Sequence, residues 1–196
     1  MAIGAEEWDE YRRRYVDLTP GELADWHSRL WKDTPKQQHF DIEAARLFFD
    51  CMSDYYQYTV HEIGGWDGEL AKAILDGNSN ISSWCNTEIC NEAQVHTICD
   101  DPRYHVHRPG PCPFFANVMV ASHVLEHMCA PEIREVTRRA CSTANWIYID
   151  CPPPDPVEES TSMHIVANPW KHILPMPRPW RETGSHKTAR WFTRCP

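Results

Sequence analysis

Residues 58–77 narrow most sharply what this chain can fold into. YTVHEI is a short β-branched run, GGWDG a glycine-rich turn, and ELAKAIL a helix-forming stretch that stops at Asp76-Gly77. Further short apolar runs at 81–88, 95–98, 114–122 and 145–151 predict strands two to five. The run LEHMCAPEIREVTRRACSTA, between the last two, predicts a helix. Strands alternating with helices imply a doubly wound, mostly parallel sheet covered on both faces, an α/β architecture of Rossmann-like type. Ahead of it, Trp8, Tyr11, Tyr15, Leu23, Trp26, Leu30, Ile42, Ala45 and Phe48 recur at helical spacing. Residues 1–57 are therefore expected to form an N-terminal helical lid and 58–196 the α/β domain. Eight of the sixteen prolines fall between Pro152 and Pro179, which predicts a loop there. HIVAN (164–168) is expected as a short strand, and ARWFTR as the last strand of a shortened C-terminal hairpin region.

At 196 residues the chain suits one domain with appendages. Its apolar runs fall well short of bilayer-spanning length. The charged N-terminus MAIGAEEWDEYRRRYVD lacks a secretory signal pattern, so a cytoplasmic location is expected. Nine scattered cysteines without a C-x-x-C pair predict reduced, mostly buried thiols rather than a disulfide framework or zinc ribbon. The net charge of −9 disfavours a long nucleic-acid backbone as partner. It is unevenly spread: from Ile165 onward six basic residues face only Glu182, a local +5 that leaves −14 elsewhere.

In a doubly wound sheet, ligands bind outside the carboxyl ends of the strands, where a glycine turn lets them approach backbone N–H groups. Glu62, Gly64 and Gly68 supply E-x-G-x-x-x-G there. Glu88, twenty residues past Gly68 at the end of the second strand, is placed to accept both ribose hydroxyls of a nucleoside-like ligand. With ASHVLEH closing the fourth strand and YIDCPPP the fifth, in this order, the sequence resembles the class I S-adenosylmethionine-dependent methyltransferases over roughly residues 58–155, particularly small ones with a V-L-E-H segment. The resemblance implies methyl transfer from S-adenosylmethionine, with S-adenosylhomocysteine as product, to an oxygen, nitrogen or carbon acceptor. It also implies that Glu62, Gly64, Gly65, Trp66 and Gly68 surround the methionine moiety, that Glu88 binds ribose, and that Ile89 packs on adenine. Asp100 or Asp101 would meet the adenine amino group, and Ser122, His123 and Leu125 would line the site. Trp66 departs from the family pattern by replacing its middle glycine.

The sulfonium already activates the methyl group, so alignment and water exclusion are the main demands and a base is optional. His127 and His123 are the candidate bases, with His164 third, and no metal is assigned. Three other readings compete. His123-x-x-Glu126-His127 matches H-x-x-E-H, an inverted zinc-hydrolase motif that requires a helix under both histidines. GGWDGE has the wrong spacing for a dinucleotide turn. A methyltransferase fold that kept its sheet but lost turnover would use Trp170, Trp180 and Trp191 beside Arg178, Arg181 and Arg190 as an interaction surface. DNA is disfavoured as acceptor, because no D/N-P-P-Y/F follows strand four and Cys112 precedes it. A small molecule is expected, with RNA and protein acceptors and the oligomeric state left open.

Overall fold

The computed structural model describes residues 5–33, 41–53, 55–108, 115–153, 164–173 and 175–195; the side chains of Ala5, residues 30–33, Asn91 and Glu92 are outside the description. Seven strands form one sheet: β1 (Tyr58–Ile63), β2 (Ile81–Thr87), β3 (Tyr104–His107), β4 (Val118–Ser122), β5 (Trp146–Asp150), β6 (Trp180–His186) and β7 (Ala189–Arg194). Their order is β3-β2-β1-β4-β5-β7-β6. The first five pair in parallel, while β7 runs antiparallel to both β5 and β6. The strand order therefore reverses between β1 and β4, which opens a crevice at their carboxyl ends. Every residue of β4 is buried, as a central strand covered on both faces requires.

One face carries α3 (Ile42–Asp50) and α4 (Glu69–Leu75), whose Phe48, Phe49, Leu70 and Ile74 pack on Val60, Trp84, Val120 and Tyr148. Asp41 caps α3 by accepting the Ala44 N–H at 3.0 Å. The other face carries α6 (Ala130–Thr143) and the single turn α7 (Trp170–Ile173), closed over Met119, Ala121, Ile147, Ile149 and Phe192. Helices α1 (Ala5–Arg14) and α2 (Pro20–Asp33) share a small cluster of Trp8, Tyr11 and Tyr15 with Trp26 packed against it. The Tyr15 hydroxyl donates to Glu132 at 2.9 Å, fastening this pair to the first turn of α6. Although α3 falls within residues 1–57, it packs in the main core; α1 and α2 lie outside it.

Several sequence expectations are corrected. The third strand is β3 at Tyr104–His107, because residues 91–95 form the short helix α5 (Asn91–Val95) and the loop after it turns back on Asp67. LEH is a single 3-10 turn, and the helix begins only at Ala130. There the Cys129 N–H donates to Glu132 at 2.8 Å. HIVAN forms no strand; the N–H groups of Ile165 and Val166 instead donate to the Glu126 carbonyl at 2.7 and 3.3 Å. The hairpin is present, its strand β6 having escaped notice because RETGSH is exposed and polar. Phe114, Cys112 and residues 154–163 lie outside the described residues. Among described cysteines all are free thiols, four buried, three half-buried and Cys51 exposed. No described helix is long and apolar enough to cross a membrane.

Asp101, expected near adenine after the third strand, precedes β3 instead. Arg103 donates to both of its oxygens, at 2.9 and 2.7 Å, and also to the carbonyls of Leu75, Asn78 and Ile81. The Arg103 guanidinium holds the Asp101 carboxyl down at about 2. Arg103→Ala leaves those carbonyls without their donor at a site about a quarter exposed. The expected cost is about 2 kcal/mol, a fall in Tm of roughly 4–8 °C by calorimetry. An unchanged Tm would show that this brace contributes nothing.

Candidate functional site

The turn after β1 carries the backbone conformation that its glycines suggest. Gly64, Trp66 and Gly68 have φ of +65°, +52° and +84°. Trp66 thus adopts the left-handed geometry of the missing glycine, at a cost of about 1 kcal/mol, and does not break the turn. Its surroundings hold it there: the Trp66 N–H donates to Glu88 Oε2 at 2.8 Å, and its carbonyl accepts from Asn86 Nδ2 at 3.3 Å. Gly65 N–H donates to Asn86 Oδ1 at 2.9 Å, and Asn86 also donates to the Tyr104 hydroxyl at 2.9 Å. Asn86 therefore fixes the turn to β2 and β3. Its signal in the sequence is an amide inside the otherwise apolar run Trp84-Cys85.

Glu62 is wholly buried beneath this turn. A Cβ on Gly65 would sit 2.3 Å from its carboxyl group, so only glycine lets the backbone pass over it. Glu62 Oε2 accepts the Trp84 indole N–H at 2.8 Å, and Oε1 has no hydrogen-bond partner among the described residues. Burial pushes its carboxyl up to about 8, and the nearby charges of Glu88 and Asp67 add to the rise. Glu88 ends β2 as expected and is also buried. Its two oxygens accept the N–H groups of Cys90 and Trp66, each at 2.8 Å. Burial raises its carboxyl, against the pull of those N–H groups.

A second cluster stands at the ends of β4 and β5. His123 (φ +50°) places Nε2 3.4 Å from Asp150 Oδ2 and Nδ1 3.6 Å from Glu126 Oε1. Burial alone depresses this imidazole, but the Asp150 hydrogen bond and the charges of Asp150, Glu126 and Asp41 outweigh it and raise its pKa. Asp150 also accepts from the Thr188 hydroxyl at 2.7 Å and lies 3.5 Å from Ser122 Oγ. Glu126 is 2% exposed, burial lifts its carboxyl to about 7, and its Oε2 has no hydrogen-bond partner among the described residues. Asp150 was not singled out from the sequence, although an acid closing an apolar strand before a proline run is a usable signal.

A groove of about 1030 Å³ runs along the sheet face between α2 and α6. Gly64, Ile89, Val124 and His127 line one end of it, and His61, Met119 and Val136 its middle. Among the expected site residues, Gly64, Ile89 and His127 thus meet in the groove, with Glu62, Gly65 and Glu88 packed around the turn beside it. Ser122 and Leu125 are buried, Leu125 in the core under α6. Asp100 is exposed and, like Asp101, precedes β3 and does not follow it.

The competing zinc reading loses its structural footing, and the competing surface keeps only Trp170, half-buried with the Arg190 guanidinium carbon 5.1 Å from its ring centroid. Trp180 and Trp191 are buried, the first donating to the Cys141 carbonyl at 3.2 Å and the second lying against Gly184. Neither is an interaction surface. His123 precedes the 3-10 turn, so the two histidines of H-x-x-E-H do not share a helix.

No family model matches the sequence, and neither does any curated protein. Solved structures do match in fold. Magnesium protoporphyrin IX methyltransferase (ChlM) from Synechocystis PCC 6803, solved with bound SAM, aligns with TM-score 0.63 at 11% identity over 90% of this chain and 97% of its own. The small RNA methyltransferase HEN1 aligns with TM-score 0.62 at 12% identity over 82% of this chain and 26% of its own. PigF with SAH aligns with TM-score 0.57 at 12% identity over 92% and 61%. The chain thus spans less than two thirds of PigF and nearly all of ChlM. It has the Rossmann-like fold of the class I methyltransferases.

Proposed function

We propose that this protein transfers a methyl group from S-adenosylmethionine to a small-molecule acceptor bound in the groove beside the glycine turn. The observation that carries the reading is the turn itself: left-handed backbone at 64, 66 and 68, between buried acids that end β1 and β2. The residues fit the cofactor. Glu62 Oε1 is a buried acceptor without a hydrogen-bond partner among the described residues, suited to a cationic ligand. The Glu88 oxygens accept from backbone N–H groups, Oε2 from Trp66 and Oε1 from Cys90, and a carboxylate has acceptor capacity beyond these for a ribose hydroxyl. Ile89 offers an apolar face at the groove. When bound, the cofactor supplies a sulfonium-activated methyl group.

The chain's own residues then orient and desolvate. Helices α1 and α2 serve as the lid, since Pro20, Leu23, Ala24 and His27 wall the groove opposite the sheet. Asp150 and Glu126 occupy the two ring nitrogens of His123, which does not line the groove, so alignment and water exclusion carry the transfer without a base from this residue. The porphyrin and small-RNA acceptors named for ChlM and HEN1 are those proteins' own.

Calorimetric titration with S-adenosylmethionine and S-adenosylhomocysteine tests the reading before any acceptor is known. Affinity on the order of micromolar for either is expected. Absence of binding at millimolar ligand would exclude methyl transfer from this cofactor.

A further inference from the structure

We propose that Glu126, His127 and His164 bind one divalent transition-metal ion, of the zinc class, at the groove end of the sheet. One ligand atom from each of the three lies within 4.8 Å of the other two. The backbone builds this meeting. Ile165 and Val166 both donate to the Glu126 carbonyl, at 2.7 and 3.3 Å, which returns the chain to the 3-10 turn and sets His164 beside His127. The two imidazole rings are 5.2 Å apart between centroids. Glu126 is buried, its Oε1 faces His123 at 3.6 Å, and its Oε2 has no hydrogen-bond partner among the described residues. A buried carboxylate oxygen without a partner is costly, and a cation would satisfy it.

Two imidazoles and one carboxylate form the donor set of open zinc sites, which keep a position for water or substrate. Ligand atoms around a tetrahedral zinc lie about 3.4 Å apart, so modest rotation of the two half-buried imidazoles completes the site. Imidazole donors favour zinc-like ions over magnesium. The ligand set differs from the H-x-x-E-H reading, because His164 takes the place of His123, which faces Asp150. A second group, Asp41, Glu43 and His186, has comparable spacing, but Lys187 Nζ lies 3.1 Å from Asp41 and 3.6 Å from Glu43 and already supplies the positive charge.

His127 lines the groove, so the open coordination position is reached from the space assigned to the acceptor. That role rests on the methyl-transfer reading and implies an acceptor with an oxygen donor; metal binding itself does not depend on it. The test is equilibrium dialysis of the chelator-treated full chain against Zn²⁺ alone, then Mg²⁺ alone, with thermal melts in parallel. The expected result is one Zn²⁺ per chain, a raised Tm, and no saturable Mg²⁺ uptake. His127→Ala and His164→Ala should each weaken Zn²⁺ binding by more than the roughly 10- to 100-fold typical of losing a second-sphere partner. His186→Ala should leave it unchanged. No saturable Zn²⁺ uptake by the wild type, uptake unaffected by His127→Ala and His164→Ala, or uptake lost on His186→Ala would each overturn the assignment. Titration of the metal-free chain with S-adenosylhomocysteine separates the two readings: zinc uptake without nucleoside binding would refute methyl transfer and leave the metal site standing.

Discussion

Glu88→Ala is expected to lower affinity for S-adenosylhomocysteine on the order of tenfold to a hundredfold. That corresponds to loss of charge-assisted hydrogen bonds to ribose worth roughly 1.5–3 kcal/mol. The structure adds a second consequence, because Glu88 also accepts the N–H groups of Trp66 and Cys90. Removing it leaves both donors without their partner and releases the left-handed Trp66 from its anchor. The folded state should lose about 2–4 kcal/mol as well, a fall in Tm of roughly 5–15 °C. Glu88→Gln separates the two effects, since its amide oxygen can still accept one of the N–H groups. This variant should recover part of the Tm while binding remains impaired. Wild-type affinity in Glu88→Ala, measured by titration calorimetry below its Tm, would remove the ribose assignment.

How far the sequence discloses this molecule depends on whether the informative signal is local. The strand, turn and helix at 58–75 are local, since β-branched residues, glycines and a helix-forming run each act on their own backbone, and they lie where expected. The third strand is different. Val95-x-x-Ile98 and Tyr104-x-Val106 are equally short apolar patterns, and pairing with β2 through Trp84 and Tyr104, a long-range contact, selects the second. That displacement puts Asp100 and Asp101 ahead of β3 and not after it. Trp66 shows the opposite limit. A tryptophan in place of a glycine suggests a broken turn, yet hydrogen bonds from Glu88 and Asn86, twenty and more residues away, impose the glycine-like conformation. The meeting of His164 with Glu126 and His127 is likewise invisible in spacing, because it is made by backbone hydrogen bonds that span α6 and β5 in the sequence.

Glu62 links the site to the stability of the whole fold through pH. Its carboxyl is neutral in the folded state up to about 8, whereas an exposed glutamate in the unfolded chain ionises near its ordinary 4.5. Between those values the folded state binds one proton more than the unfolded state. Stability therefore falls as pH rises, by about 1.4 kcal/mol per pH unit from this group, and levels off above the folded value. The contribution is fully present below 4.5 and lost through 8. Glu62→Gln keeps an oxygen to accept the Trp84 indole N–H and cannot ionise, so it should remove this slope. Chemical denaturation at pH 5, 6, 7 and 8 should find the variant gaining on the wild type by about 1 kcal/mol or more with each unit. Parallel stability profiles would mean that Glu62 is already ionised at neutral pH, paired with a cation within the turn. The same buried acid that a cationic ligand would use therefore weakens the ligand-free protein as pH rises, and a ligand that ionises Glu62 on binding should flatten the slope between pH 5 and 8.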